Sequence, residues 1–223
     1  MTKPAKVSGT DKRQRRVSYQ RAGSRETKAA LAQAALALWR TNGYASTTVA
    51  DICKAAGVSR ALFYFYFPGK EDLLFEVGVL STHTTRQHVR ALVEVPYELE
   101  SVIFEALDSL GRSMSRNPPE LIVETVLEGY RRQRPDTISP EDGLLHNLFT
   151  KAKEDGKIAG HVEIGHLSRL AQILITEGAR HWATGAYGSR SFADAVTADI
   201  CVLVAGFNHP PPDNGSSAVS TSN

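Results

Sequence analysis

Cysteine is nearly missing from this chain: two occur, Cys53 and Cys201, far apart in sequence. So few exclude a disulfide-stapled scaffold and a cysteine-rich zinc site, and they fit a reducing compartment, so a cytoplasmic location is expected. Long apolar runs are missing as well. None approaches the roughly 20 uncharged residues that a membrane helix needs. The signatures of common catalytic sites are also lacking: no P-loop, dinucleotide fingerprint, zinc-protease helix or nucleophile elbow is present. An enzyme is therefore not expected, and a small all-α enzyme stands as the distant alternative. Glu163-Ile164-Gly165-His166 matches the Glu-x-x-His element of di-iron bundles. Such sites need a second copy and two further glutamates. No second copy exists, so neither metal nor cofactor is expected.

What is present is the balance of a soluble globular chain. Hydrophobic residues make up 42% and charged residues 22% of 223, which suits one large domain or two small ones. The formal net charge of +2 conceals an asymmetry. Residues 1–70 hold thirteen Lys and Arg against three Asp and Glu, and the remainder hold thirteen against twenty-one. A basic front ahead of an acidic body suggests that the first third meets a polyanion. Nine of the cations fall within residues 1–28, opposed by Asp11 and Glu26. Residues 1–24 are almost free of apolar side chains and are expected to be a disordered basic arm. That arm either lies along nucleic-acid phosphates or the minor groove, or is a solvated tail. Arg15-Arg16 ahead of Ala29–Trp39 faintly resembles an export signal, but Arg21, Arg25, Glu26 and Lys28 intervene.

Beyond the arm, apolar residues recur at helical spacing. Leu31, Ala34, Ala35 and Leu38 form one stripe of a helix from about Glu26 to Thr41, ended by Asn42-Gly43. Leu99, Val102, Ile103, Ala106, Leu110 and Met114 form another. Pro118-Pro119-Glu120 opens a helix apolar on several sides, which predicts burial among other helices. Leu167, Leu170, Ala171, Leu174, Ile175 and Trp182 mark a long penultimate helix, and Phe192, Val196, Ile200, Leu203, Val204 and Phe207 the last. No sustained period-two run with hairpin turns appears, so an all-α fold is expected. The Pro- and Ser-rich residues 209–223 are expected to be a disordered tail, and the sequon at Asn214 is a chance match.

The informative stretch runs from Thr47 to Leu74. Thr48 with Asp51 three residues on forms a capping box that should start a helix. Gly57 permits a tight exit, and Ser59 can cap a second short helix, roughly Arg60–Phe67. This is the helix-turn-helix plan. Phe63 and Phe67, four apart, should face inward. Arg60, Ala61, Leu62, Tyr64 and Tyr66 are then left on outward or flanking faces. A guanidinium at Arg60 can bond guanine O6 and N7, and the hydroxyls of Tyr64 and Tyr66 suit phosphate oxygens. Pro68-Gly69 stops the helix, and Lys70 heads the next, where a phosphate would be favoured. Propensity alone would make Phe63-Tyr64-Phe65-Tyr66-Phe67 a strand, but the surrounding caps argue for a helix.

These residues, from Thr47-Thr48-Val49-Ala50-Asp51-Ile52 through Ala55-Ala56-Gly57-Val58-Ser59-Arg60 to Phe63-Tyr64-x-Tyr66-Phe67-x-x-Lys70-Glu71, resemble the TetR family of transcriptional regulators. The match covers about residues 26–75. It implies a three-helix DNA-binding head at residues 25–70 and a helical effector-binding and dimerisation domain at 71–208. It further implies a homodimer through the last two long helices, bound to double-stranded DNA at a pseudo-palindromic operator. A small, mostly apolar ligand would release a repressor of this kind; a regulator without effector, or an activator, is the alternative. By position, Thr48 would touch the DNA backbone, Arg60, Ala61 and Leu62 would approach bases, and Tyr64, Tyr66 and Lys70 would hold phosphates. Leu62 departs from the family, which often has a polar residue there; Leu62 and Ala61 offer thymine methyls a contact but no hydrogen bond. Cys53 replaces the usual Ala and reads as a small buried hydrophobe. Phe104, Leu107, Met114, Leu127, Tyr130, Phe149, Leu174 and Trp182 are the effector-pocket candidates.

Overall fold

The computed structural model describes residues 9–132 and 143–209, with side chains from residue 23 onward except at residue 81. Among these residues there are nine helices and no strand. In chain order they are α1 (Gly9–Asn42), α2 (Val49–Ala56), α3 (Arg60–Tyr66), α4 (Lys70–Leu92), α5 (Leu99–Met114), α6 (Pro119–Arg132), α7 (His146–Glu154), α8 (Ile164–Ala183) and α9 (Phe192–Asn208). They form two compact units. The first holds the chain up to Ser81 together with Met114–Arg132, and the second holds Thr82–Ser113 and the chain from Gln133.

The first unit is organised around α1. Leu31, Ala35 and Trp39, spaced by four, are fully buried and meet Ile52 of α2, Phe63 of α3 and Leu73 of α4 in one cluster. Burying Phe63 alone is worth about 2–3 kcal/mol. Gly43, at φ +81°, turns the chain out of α1 as its N–H donates to the Trp39 carbonyl. The core of this unit reaches further than the expected head of residues 25–70. Leu73, Leu74 and Val77 of α4 and Leu121 of α6 belong to it. Arg40 Nε donates to Asn117 Oδ1 at 2.9 Å just ahead of α6. Arg132, at the end of α6, bonds Asp72 at 2.8 Å and Glu128 at 2.6 Å, with Glu128 itself buried.

Two expectations need correcting. The segment read as a disordered arm is helical from Gly9, and residues 1–8 lie outside the described residues. Arg, Lys, Gln and Ala are good helix formers, so lack of apolar side chains removes a core without removing a helix. In α6, Leu121, Ile122 and Val126 are buried as expected, but Leu127 and Tyr130 are exposed. The helix is amphipathic, with one apolar face turned inward. The tail expected at 209–223 lies outside the described residues beyond His209.

In the second unit Val102, Ile103, Ala106 and Leu107 of α5 are buried, as are Leu148 and Phe149 of α7, Leu167, Ala171 and Ile175 of α8, and Phe192, Val196 and Ile200 of α9. The helical stripes seen in the sequence supply most of these residues. Helices α8 and α9 pass closely: a Cβ on Gly178 would run into Val196 Cγ2, so glycine is required at that crossing. Among the described residues no helix is long and apolar enough to cross a membrane.

Candidate nucleic-acid interface

The helix-turn-helix is built by its caps. Thr48 Oγ1 accepts from the Asp51 N–H at 3.2 Å while Asp51 Oδ2 accepts from the Thr48 N–H at 2.9 Å, which satisfies the free donors at the start of α2. The Thr48 hydroxyl also donates to that carboxylate, and these bonds hold Asp51 below the usual carboxylate range. Gly57 ends α2 in the left-handed region, φ +66°, and Val58 N–H closes the turn on the Cys53 carbonyl at 3.0 Å. Ser59 Oγ then accepts from the Leu62 N–H at 3.1 Å and starts α3. Cys53 is buried, and burial pushes its thiol up.

α3 has one face in the core and one in water. Phe63 and Phe67 are buried, with their ring centroids 5.8 Å apart, and α3 ends at Tyr66 because Phe67 is already extended. Arg60, Ala61, Leu62 and Tyr64 are all exposed. Among the described residues no hydrogen bond or ion pair engages the Arg60 guanidinium. Tyr66 is half-buried against the core cluster. The largest omission from the sequence reading is Phe65, which is 78% exposed. Its place in the register, two residues from both Phe63 and Phe67, was the available signal, since a two-residue step crosses to the far side of a helix.

Lys70 is placed otherwise than a free phosphate ligand would be. Its Nζ donates to the Tyr44 carbonyl at 2.9 Å and the Thr47 carbonyl at 3.1 Å, and sits 4.2 Å from the centre of the Tyr44 ring. Burial, chiefly, pushes the Tyr44 phenol well up, so it stays protonated beside the ammonium. The lysine therefore clasps the loop ahead of α2 to the first turn of α4. Thr48 stands exposed next to that loop.

The sequence-derived effector candidates are divided. Met114, Leu127 and Tyr130 belong to the first unit; Phe104, Leu107, Phe149, Leu174 and Trp182 belong to the second. Leu107 and Phe149 are fully buried core residues. A cleft of about 500 Å³ in the second unit is lined by Val93–Glu98, Lys151, Asp155 and Lys157, none of them a candidate. There the Tyr97 hydroxyl donates to Asp155 at 3.0 Å, and burial with that neighbour pushes the phenol up to about 12. Glu163, from the Glu-x-x-His element, caps α8 by accepting from the Gly165 and His166 N–H groups. Among the described residues no three His, Cys, Asp or Glu gather as a metal site.

Residues 31–77, which span α1 to the first half of α4, match the profile of bacterial regulatory proteins, tetR family. These residues are thus a TetR-family N-terminal region. The chain is similar to the regulator EthR of Mycolicibacterium smegmatis, at 42% identity over 94 residues, 42% of this chain and 43% of that protein. A longer similarity, 25% over 133 residues, covers 60% of this chain and 90% of the regulator TtgW of Pseudomonas putida. The chain spans 57% of SrpR, also from Pseudomonas putida. In fold it is similar to the TetR-family repressor FadR of Thermus thermophilus, solved in complex with lauroyl-CoA, with a TM-score of 0.67 at 24% identity over 84% of this chain and 99% of that one. Among the described residues the chain is thus all-α, with an N-terminal helix-turn-helix and a helical C-terminal part.

Proposed function

We propose that this chain is a repressor that binds a pseudo-palindromic DNA operator as a homodimer and leaves it when a small, mostly apolar ligand binds. The observation that carries this reading is the two-sidedness of α3, with Phe63 and Phe67 anchored in the core and Arg60, Ala61, Leu62 and Tyr64 in water. Arg60 takes the role of base reader and Tyr64 that of phosphate ligand, with Tyr66 and Thr48 at the edges of the footprint. Lys70 acts by holding the loop that presents Thr48, and the basic extension of α1 adds phosphate contacts. The homodimer forms through α8 and α9, which leave Ile173 54% and Val202 74% exposed. An acyl chain is the first ligand class to try, given what the Thermus FadR holds. Ligand binding need supply only about 1–3 kcal/mol of coupling to free an operator. Within the second unit the half-buried candidates Phe104, Leu174 and Trp182 are the positions to probe for it.

The test is recovery of genomic fragments bound by the full-length protein, followed by affinity measurements on the enriched site and on random DNA. Arg60→Ala should lower affinity for the enriched site by about 1–3 kcal/mol while affecting random DNA less. Equal losses on both would remove Arg60 as a base reader, and absence of any enriched site would remove the operator.

A further inference from the structure

The water-facing side of α3 carries chemistry that narrows what it can read. Ala61, Leu62 and Phe65 are all exposed, and Phe65 is the most exposed large apolar side chain among the described residues. None of the three has a side-chain donor or acceptor. Hydrogen bonds on this side come from Arg60, in the first turn, and from the Tyr64 hydroxyl, which is assigned to phosphate above. The Phe65 ring is also positioned: it meets the Tyr66 ring edge-on, 5.0 Å between centroids at 81°, and Tyr66 packs on the core cluster. A ring braced in this way keeps its place in water and need not be ordered when a partner arrives.

In the major groove each base pair shows a pattern of donors and acceptors, and one apolar group besides, the C5-methyl of thymine. Ala61, Leu62 and Phe65, without hydrogen-bonding side-chain atoms, cannot distinguish the polar edges. It can gain only by covering methyl groups. We infer that this chain reads its half-sites by burying thymine methyls under Phe65, Ala61 and Leu62, with Arg60 fixing a neighbouring guanine. This rests on the operator-binding reading above and adds the base class that the operator must contain. Each thymine so covered contributes like one methyl buried, a factor of roughly four in affinity.

The experiment selects a duplex from random sequence with the full-length protein, then remakes it with deoxyuridine at every thymidine. Uracil keeps thymine's hydrogen-bonding edges and lacks only the methyl. Affinity for the selected duplex should fall by about fifteenfold if one methyl is covered in each half-site, with random duplexes of the two kinds bound alike. Phe65→Ala should bind the thymidine duplex more weakly and lose most of the difference between thymidine and deoxyuridine. Equal affinity of the wild-type chain for both selected duplexes, or half-sites without thymine, overturns methyl reading and leaves operator binding standing. A difference that survives intact in Phe65→Ala overturns the assignment to Phe65. Selection that enriches nothing removes operator binding itself, and this inference with it.

Discussion

On α3, Phe65 and Tyr64 stand in water within a turn or so of Arg60; on α9, Val202 does the same with Ala198, Ala205 and Gly206 one turn to either side. Exposure of apolar side chains is thus common to both compact units, and its meaning is set by the neighbours. Around α3 the neighbours are a guanidinium and a phenol, which together suit a polyanion. Around Val202 they are small residues, which let another helix come close, and the Asp199 carboxylate, and none of these offers anything to a phosphate. We read that face as the place for a second copy. The comparison shows why a count of exposed hydrophobics cannot name a partner, whereas the polar groups beside them can.

The sharpest way to break the contrast is to remove what holds α3 in place. Phe63→Ala empties a fully buried site and should cost about 3–5 kcal/mol, read as a shift of the urea midpoint. A loss below about 1 kcal/mol would mean that the inner face of α3 is not what anchors it. Next, Val202→Glu places a charge on the α9 face without disturbing the core. Dimer affinity measured by sedimentation should fall at least about tenfold, while the fold persists; an unchanged association would show that copies do not meet there. The smallest effect expected is at the cap. Thr48→Ala should cost about 1 kcal/mol. Because Thr48 holds the Asp51 carboxyl below its ordinary range, the carboxylate's share of the cap is complete above that range and is lost as the pH falls through the depressed value. The difference in thermal unfolding between the two proteins should therefore be larger at neutral pH than in strong acid. A difference that is independent of pH would mean that Asp51 plays no part.

Much of the head could be read from the sequence, since it rests on local chemistry. The Thr48–Asp51 cap, Gly57, Ser59 and the spacing of Phe63 and Phe67 each act within a turn or two of chain, and their positions agree with the structure. Phe65 was not legible by residue type, since an aromatic between Phe63 and Phe67 looks like core, although the same periodicity turns it outward. Lys70 was only partly legible, for another reason. Its place at the head of α4 was visible, but a long flexible side chain can find carbonyls at Tyr44 and Thr47 that no sequence interval reveals. The same holds for α6: its inner face was legible as apolar, but not that Leu121 joins the core of α1 and α3. The effector candidates were the least legible. Apolar identity is shared by core and pocket, and Leu107 and Phe149 are core.

The joining of α6 to the head has a topological consequence. The polypeptide leaves the first unit at Ser81, returns at Met114 for one helix and leaves again after Arg132. An excised fragment ending at Ser81 would strip the apolar cluster of Leu121 and deprive Asp72 of its arginine. The helix-turn-helix part of this chain is therefore not a detachable cassette. Grafting it onto another protein would require carrying along a helix that is encoded more than thirty codons downstream.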